Sequence, residues 1–311
     1  MAKPPRNPAS GILFVDKPQG ITSHGVIARA RESVGTRKIG HAGTLDPMAT
    51  GLLVLGANNA TRLLTYFVGL DKQYLATIRL GASTNTDDAE GELSPAADAA
   101  ALAAISDEAI GERVAEFTGA IMQRPSSVSA IKVDGKRAYT LARSGEEVVL
   151  AERAVTISSF EVLEIERGEF IDVKVRVDCS SGTYIRALAR DLGAVLGVGG
   201  HLTVLRRTRV GPFEVARASV LDDDLGAQLI SPAAVAGELF ESVELDEQSS
   251  FELSRGRQVP LGAVGTGPIA VLNPAGRLIG LAEVVDGRTR ILSNFPADAA
   301  VVSHKGAPSD G

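Results

Sequence analysis

The sequence predicts an α+β domain followed by a small all-β module, and three patterns support this fold class. Residues 11–15 are apolar and are followed by a turn at 16–20, as expected for a buried strand. Ser23 precedes a segment whose apolar residues recur at helical spacing. From about Val243 the chain becomes rich in glycine and short strand-like runs. The change in character at Val243 predicts a second structural unit.

The other elements follow from the same two periodicities. In the first domain, strands are predicted at residues 11–15, 52–55, 72–80, 148–158, 160–166, 171–179 and 202–207. Helices are predicted after Ser23, after Asn58 or Asn59, within 98–118 in one or two pieces, at 183–196, and from Pro232 with Ser231 as its cap. The module's strands are predicted at 269–273, 278–285 and 289–293. We expect a domain at 1–241, a module at 242–297 and a flexible tail at 298–311.

Composition excludes several classes of protein. With 311 residues, 44% hydrophobic and 23% charged, the chain resembles an ordinary soluble protein with a sizeable core. It has no apolar run long enough to cross a bilayer and no signal peptide, so we expect a cytoplasmic location and no membrane partner. Cys179 is the single cysteine, which excludes intrachain disulfides. The four histidines form no pair at metal-ligand spacing, so we expect no metal.

The charge distribution leaves two interpretations open. A net charge of -6 argues against a nucleic-acid partner, although net charge is only an average over the surface. Basic residues form three clusters, at Arg29, Arg31, Arg37 and Lys38; at Arg124, Lys132, Lys136 and Arg137; and at Arg206, Arg207 and Arg209. These clusters indicate either one cationic face or a scattered solvated surface.

The most informative segment is the loop at residues 40–47, with sequence Gly-His-Ala-Gly-Thr-Leu-Asp-Pro. It places one carboxylate, Asp46, directly before an apolar strand. Pro47 favours an extended backbone at Asp46, and Gly43 allows a tight turn or a close approach to a ligand. Taken alone, an Asp-Pro pair is also typical of a surface turn.

Five further segments accompany this loop. They are Asp16-Lys17-Pro18-x-Gly20-x-Thr22-Ser23, Asp71-Lys72-Gln73-Tyr74, Arg124-Pro125-x-x-x-Ser129-Ala130-x-Lys132, Ser181-Gly182-Thr183-Tyr184-Ile185-Arg186, and Gly199-Gly200-His201-Leu202-x-x-Leu205-Arg206-Arg207-Thr208. In this order, from about Ile12 to Phe213, they resemble the bacterial TruB-type tRNA pseudouridine synthases.

The resemblance implies both a fold and an activity. It implies a mixed, mainly antiparallel sheet flanked by helices, the pseudouridine synthase fold, followed by a PUA-like RNA-binding domain. It implies an enzyme that isomerises uridine to pseudouridine at position 55 in the tRNA T-arm loop, by base flipping and an aspartate nucleophile. A monomer is implied, with tRNA as its partner. The reaction has no redox change and imports no group, so it requires no cofactor or metal.

The resemblance also implies roles for individual residues. Asp46 is the expected nucleophile, Arg186 its pairing arginine, and Tyr74 the ring that stacks on the uracil and accepts the C5 proton. The expected substrate-binding residues are Tyr184 in the pocket, Leu205 as an apolar wall, His41 among the displaced nucleotides, and Lys17 and Lys132 facing phosphates or supporting loops. Whether attack occurs at C6 or C1′ stays open.

Two other functions compete with this one. A tRNA-folding chaperone is compatible with the sequence, because extruding a base and refolding the loop unfold tRNA locally. A glycosidase usually needs two carboxylates flanking the scissile bond, and the sequence offers Asp46 no evident acid partner.

Overall fold

The computed structural model describes residues 9–126, 132–133, 136–137, 150–222, 224–262 and 265–297, with backbone alone at 132–133 and 136–137. Its strands are β1 (Gly11–Lys17), β2 (Ile39–Ala42), β3 (Thr50–Ala57), β4 (Lys72–Leu80), β5 (Gly119–Gln123), β6 (Lys132–Val133), β7 (Lys136–Arg137), β8 (Arg153–Arg167), β9 (Ile171–Cys179), β10 (Gly200–Val210), β11 (Phe213–Glu214), β12 (Ser219–Val220), β13 (Ser242–Glu244), β14 (Ile269–Leu272), β15 (Leu278–Val285) and β16 (Arg288–Asn294). Its helices are α1 (Ser23–Val34), α2 (Leu64–Val68), α3 (Ala99–Ala103), α4 (Asp107–Glu116), α5 (Ile185–Val195), α6 (Pro232–Leu239) and α7 (Glu247–Ser254).

A ten-stranded sheet organises the first domain. Its order is β12-β1-β3-β10-β4-β9-β8-β5, with β2 added to β3 and β11 to β10. The pairs β1–β12 and β3–β10 are parallel, and the other pairs are antiparallel. The structure therefore confirms the mixed, mainly antiparallel sheet. Strand β4 lies in the middle of this order, with β10 and β9 as its neighbours.

Strand β1 is buried on both faces, which explains why its sequence is a continuous apolar run rather than an alternating one. Leu13 and Val15 join the core on the face covered by α1, α4 and α5. Ile12 and Phe14 join a second core that includes residues of α2 and α6. Successive residues of β1 thus point alternately into the two cores.

The second core also connects the two parts of the chain. Strands β13, β14, β15 and β16 form a separate four-stranded sheet, whose Ala270 and Leu281 pack in the same cluster as Phe14 and Phe67. The module also contains a helix, α7, which its glycine-rich sequence does not indicate. Within the described residues, no helix is long and apolar enough to cross a membrane.

Three local predictions are corrected. Thr22, not Ser23, caps α1, because its Oγ1 accepts a hydrogen bond from the Gly25 amide at 2.9 Å. His41 lies on a short strand, β2, rather than in the loop. The predicted strands at 148–158 and 160–166 are one strand, β8, and the apparent break reflects register shifts against β9.

Gly51 of β3 lies opposite Arg207 of β10, where the two strands pair. Its φ is +101°, and a Cβ built on it would lie 2.2 Å from the backbone oxygen of Arg207. We expect Gly51→Ala to lower the free energy of unfolding by about 3 kcal/mol, because the two strands must separate and the backbone is strained. Urea unfolding monitored by circular dichroism measures this change.

Gly69→Ala is the matched control. No atom lies within 4 Å of a Cβ built on Gly69, whose φ is -77°. This substitution should leave stability unchanged or raise it by about 0.5 kcal/mol. Equal unfolding midpoints for the Gly51 and Gly69 variants would contradict the close-approach account.

Candidate active site

A cavity of about 270 Å³ lies against the middle of the large sheet. Five residues predicted from the sequence line it together: Asp46, Tyr74, Tyr184, Arg186 and Leu205. They come from the loop before β3, from β4, from the start of α5, and from β10. Its volume lies just below that of typical ligand clefts, about 300–1,000 Å³, and suits one small planar group.

The central contact of the cavity is an ion pair between Asp46 and Arg186. Arg186 Nε lies 3.1 Å from Asp46 Oδ2. The arginine side chain is 5% exposed, whereas that of Asp46 is 36% exposed and so remains open to the cavity. Burial raises the pKa of Asp46, and the Arg186 guanidinium opposes that rise. The arginine thus favours the ionised carboxylate that a nucleophile requires.

Arg186 also binds a second carboxylate, that of Asp88. Arg186 Nη1 lies 3.1 Å from Asp88 Oδ2 and donates to the Thr86 carbonyl at 2.9 Å. Asp88 in turn accepts from Thr86 Oγ1 at 2.6 Å and from the Glu90 amide at 3.0 Å. Because these contacts immobilise one side of the guanidinium, its Nε is held towards Asp46.

The backbone of the Asp46 loop (residues 43–49) is held by buried side chains. Ser23 Oγ donates to the Leu45 carbonyl at 3.0 Å and accepts from the Leu45 amide at 2.9 Å. Arg207 Nη2 donates to the Gly43 carbonyl at 3.1 Å. Both Ser23 and Arg207 are almost fully buried. The loop that carries Asp46 is therefore anchored on both sides by core residues.

Lys17 completes this support from below the loop. Its ammonium group donates to the carbonyls of Pro18 at 3.0 Å, Ile21 at 2.7 Å and Pro47 at 3.2 Å. The residue is fully buried, and burial lowers the pKa of its amine to about 8, an effect that nearby Asp46 opposes. Of the two roles predicted for Lys17, this geometry favours support of the loop over contact with a phosphate.

Tyr74 lies in the central strand, with Val177 of β9 opposite it on one side and Arg207 of β10 on the other. Burial raises the pKa of its phenol, and the positive charge of Arg207, together with a smaller effect of a hydrogen bond from the same side chain, opposes that rise. Arg207 thus contacts both Tyr74 and the Asp46 loop, so one buried side chain sets the distance between two candidate residues.

Tyr184 is held through its backbone by a single side chain. Gln123 Nε2 donates to the Tyr184 carbonyl at 3.0 Å, and the Tyr184 amide donates to Gln123 Oε1 at 2.7 Å. The guanidinium carbon of Arg153 lies 4.5 Å from the centre of the Tyr184 ring. The ring is therefore part of a fixed cavity wall.

His41 is not among the residues that line this cavity. His41 pairs with Leu55 in the sheet, and its ring meets that of His24 edge to face at 5.8 Å. Burial lowers the pKa of His41, and its Nδ1 has no hydrogen-bond partner among the described residues. The side chain of Lys132 lies outside the described residues.

Four residues of the site were missed as functional candidates: Lys72, Asp88, Arg153 and Arg207. Lys72 and Arg207 lie within two of the motifs that carry the family resemblance, and this location is the feature of the sequence that could have identified them. Asp88 sat in a segment that reads only as a polar loop. The sequence gives no sign that it meets Arg186.

The comparisons with known proteins agree with this geometry. The family model described as the N-terminal domain of TruB family pseudouridylate synthase matches residues 31–185. The model described as the tRNA pseudouridylate synthase B C-terminal domain matches residues 186–242. The chain is 57% identical over 295 residues to tRNA pseudouridine synthase B of Leifsonia xyli subsp. xyli, covering 93% of this chain and 97% of that protein. The chain belongs to the TruB family of pseudouridylate synthases.

Other members of the family are nearly as similar. The tRNA pseudouridine synthase B of Streptomyces griseus subsp. griseus is 49% identical, with 92% of this chain and 97% of that protein covered. Among solved structures, a chain of a Cbf5-Nop10-Gar1 complex is 26% identical at a TM-score of 0.67, covering 92% of this chain and 84% of that one. A chain of an H/ACA RNP bound to a substrate RNA containing 2′-deoxyuridine has a TM-score of 0.68 at 23% identity, covering 93% and 86%. These structures confirm the pseudouridine synthase fold.

Replacing Lys17 by methionine tests the support beneath the loop. The substitution keeps the length of the side chain but leaves three backbone carbonyls without their buried donor. We expect Lys17→Met to lower the free energy of unfolding by about 3 kcal/mol, measured by urea unfolding. Lys38→Met, at an exposed lysine, is the control and should change little. If the Lys17 variant unfolded at the same urea concentration as the control, the three hydrogen bonds from Lys17 would not contribute to stability as proposed.

Proposed function

We propose that this protein isomerises uridine to pseudouridine at position 55 in the T-arm loop of tRNA. The observation that carries the proposal is the Asp46–Arg186 ion pair, which opens into the same cavity as Tyr74. The names of the similar proteins, tRNA pseudouridine synthase B, support tRNA as the substrate. We propose that the enzyme acts as a cytoplasmic monomer without a metal or cofactor.

The chemistry needs few groups. The N1–C1′ bond of uridine breaks, the base turns, and a C5–C1′ bond forms. The C5 proton then leaves, and N1, which has lost its bond to C1′, takes up a proton. No atom is gained or lost overall. Asp46 acts as the nucleophile, at C1′ or at C6, and covalent attachment lets one difficult step proceed as two easier ones. Arg186 favours the ionised carboxylate and fixes its orientation.

Tyr74 supplies the flat surface on which the uracil stacks, a contact that contributes about 1–3 kcal/mol per base. Because burial raises the pKa of Tyr74, its phenol is neutral in the resting enzyme. For its oxygen to accept the C5 proton, the phenol must first release its own proton to solvent, and the charge of Arg207 favours the phenolate that results.

The target nucleotide must leave its stack to reach this cavity, at a cost of a few kcal/mol. We assign Tyr184 and Leu205 to the pocket walls, His41 to contact with displaced nucleotides, and Lys132 to a phosphate. The division at residues 241 and 242, with the second sheet gripping the far side of the tRNA as a PUA-like domain, belongs to the same proposal. No contact among the described residues favours the folding-chaperone alternative.

The second carboxylate at Arg186 bears on the glycosidase alternative. A general acid must carry a proton and reach the leaving group. The Asp88 side chain is only 4% exposed and accepts hydrogen bonds from Arg186, Thr86 and the Glu90 amide. It is therefore suited to positioning Arg186 and is poorly placed to donate a proton to a sugar.

The experiment is incubation of the protein with an unmodified T-arm stem-loop, followed by pseudouridine-specific chemical mapping. We expect the wild type to convert the target uridine. Asp46→Asn should bind the RNA nearly normally and lose a factor of about 10⁴ or more in turnover, because the amide cannot act as the nucleophile.

Glu116→Gln provides the control, since it removes an exposed carboxylate that also pairs with an arginine, Arg113. This variant should match the wild type. Appreciable pseudouridine from Asp46→Asn would overturn the nucleophile assignment, and absence of product from the wild type would overturn the proposed function itself.

A further inference from the structure

The cavity that contains Asp46 is strongly cationic. Asp46 is the single carboxylate in its wall among the described residues, whereas four cationic side chains line it: Lys72, Arg153, Arg186 and Arg207. One cation is accounted for by Asp46 itself, through Arg186. The remaining excess of positive charge indicates that the cavity receives an anionic group along with a neutral base.

Three of these four cations already have protein partners. Lys72 Nζ donates to the carbonyls at residues 68 and 70, at 2.7 and 2.5 Å. Arg207 Nε donates to the carbonyl at residue 52 at 2.7 Å, and its Nη2 binds the Asp46 loop. Arg186 pairs with carboxylates at residues 46 and 88. These three groups support the structure of the site.

Arg153 differs from them. Its Nε and Nη2 are shielded from solvent and have no hydrogen-bond partner among the described residues. These two nitrogens share one edge of the guanidinium, and their hydrogens point the same way. Arg79 uses the same edge to hold a carboxylate, with Nε 2.8 Å and Nη2 2.6 Å from the two oxygens of Asp172. At Arg153, no protein group from the described part of the chain binds the corresponding edge.

The position of Arg153 suits a ligand rather than a solvated surface. Its guanidinium stacks on the Tyr184 ring at 4.5 Å, and Gln123 fixes the backbone of Tyr184. Stacking restrains the plane of the guanidinium without using the hydrogen-bond donors on its edge. A buried, charged donor without a partner is costly, so an anion that binds this edge relieves an existing penalty.

We propose that Arg153 binds a phosphate that flanks the target uridine, through its Nε and Nη2, and so holds the extruded nucleotide over Asp46. This assignment rests on the proposed function, because it takes RNA as the ligand. A phosphodiester presents two oxygens that match the donor edge, and every nucleotide that enters the cavity carries one. The arginine contacts the substrate equally before and during the reaction, so it contributes to binding and little to the chemical step.

Steady-state kinetics on the unmodified stem-loop test this assignment. We expect Arg153→Gln to raise KM about tenfold with kcat nearly unchanged, since a hydrogen-bonded ion pair is lost. The slope of log affinity against log salt should decrease in magnitude by about 1, which corresponds to the loss of one phosphate contact. Arg79→Gln is the matched control, because it removes the same group where Asp172 already occupies its edge. Its KM and salt slope should equal those of the wild type.

Substrates with a methylphosphonate at either flanking phosphate identify the contact directly. This neutral group should weaken wild-type binding about tenfold at one of the two positions. The same substrate should cause no further loss with Arg153→Gln, since the partner is already absent. Arg153→Lys retains a point charge but no paired donors, so it should keep the salt slope and recover only part of the affinity.

The outcomes separate this inference from the function on which it rests. If the wild type makes no pseudouridine, the proposed function fails first. If the wild type is active but Arg153→Gln has the KM and salt slope of the wild type, the phosphate assignment is overturned. It is also overturned if each of the two methylphosphonates weakens binding by Arg153→Gln as much as it weakens binding by the wild type. Thermal unfolding of each variant detects a purely structural role. Equal destabilisation of the Gln and Lys variants with unchanged RNA affinity per folded molecule would also overturn it.

Discussion

One buried guanidinium shared by two carboxylates is the constraint on which the site depends. Arg186 lies between Asp46, which faces the cavity, and Asp88, which does not. Breaking such a buried pair by removing one partner leaves an uncompensated charge, so each group depends on the others. The consequence is a division of labour: Asp88 fixes the arginine, the arginine favours the ionised state of Asp46, and Asp46 keeps the exposure that a reactive group needs.

The rest of the fold keeps this arrangement in place. The Asp46 loop has little secondary structure of its own, and buried Lys17, Ser23 and Arg207 hold its backbone to the core. Arg207 can reach the loop because β3 and β10 run side by side, and that close approach requires glycine at position 51. Buried polar side chains therefore serve geometry here, and their hydrogen bonds join the sheet to the catalytic loop.

Much of the fold and of the site can be predicted from the sequence. The remaining features cannot, and each has a physical reason. Periodicity located β4 and α5 closely, and motif resemblance brought Asp46, Tyr74 and Arg186 into one site although they are far apart along the chain. Asp88 was invisible because its partner lies on α5, 98 residues away, and only packing brings the two together. The sequence alone favours Ser23 as the cap of α1 no less than Thr22, because both are good capping residues. The hydroxyl of Ser23 is used instead by the Asp46 loop.

The protonation state of Asp46 tests the central claim most directly. Selective ¹³C labelling of aspartate, with the Asp46 carboxyl signal assigned by substitution, gives its pKa in the wild type and in Arg186→Gln. The account predicts that burial raises the wild-type pKa above the ordinary 3.8 and that the arginine opposes part of this rise. The pKa should rise further in Arg186→Gln. A carboxyl that is protonated at neutral pH in the wild type, or a pKa that does not respond to the loss of Arg186, would contradict the account.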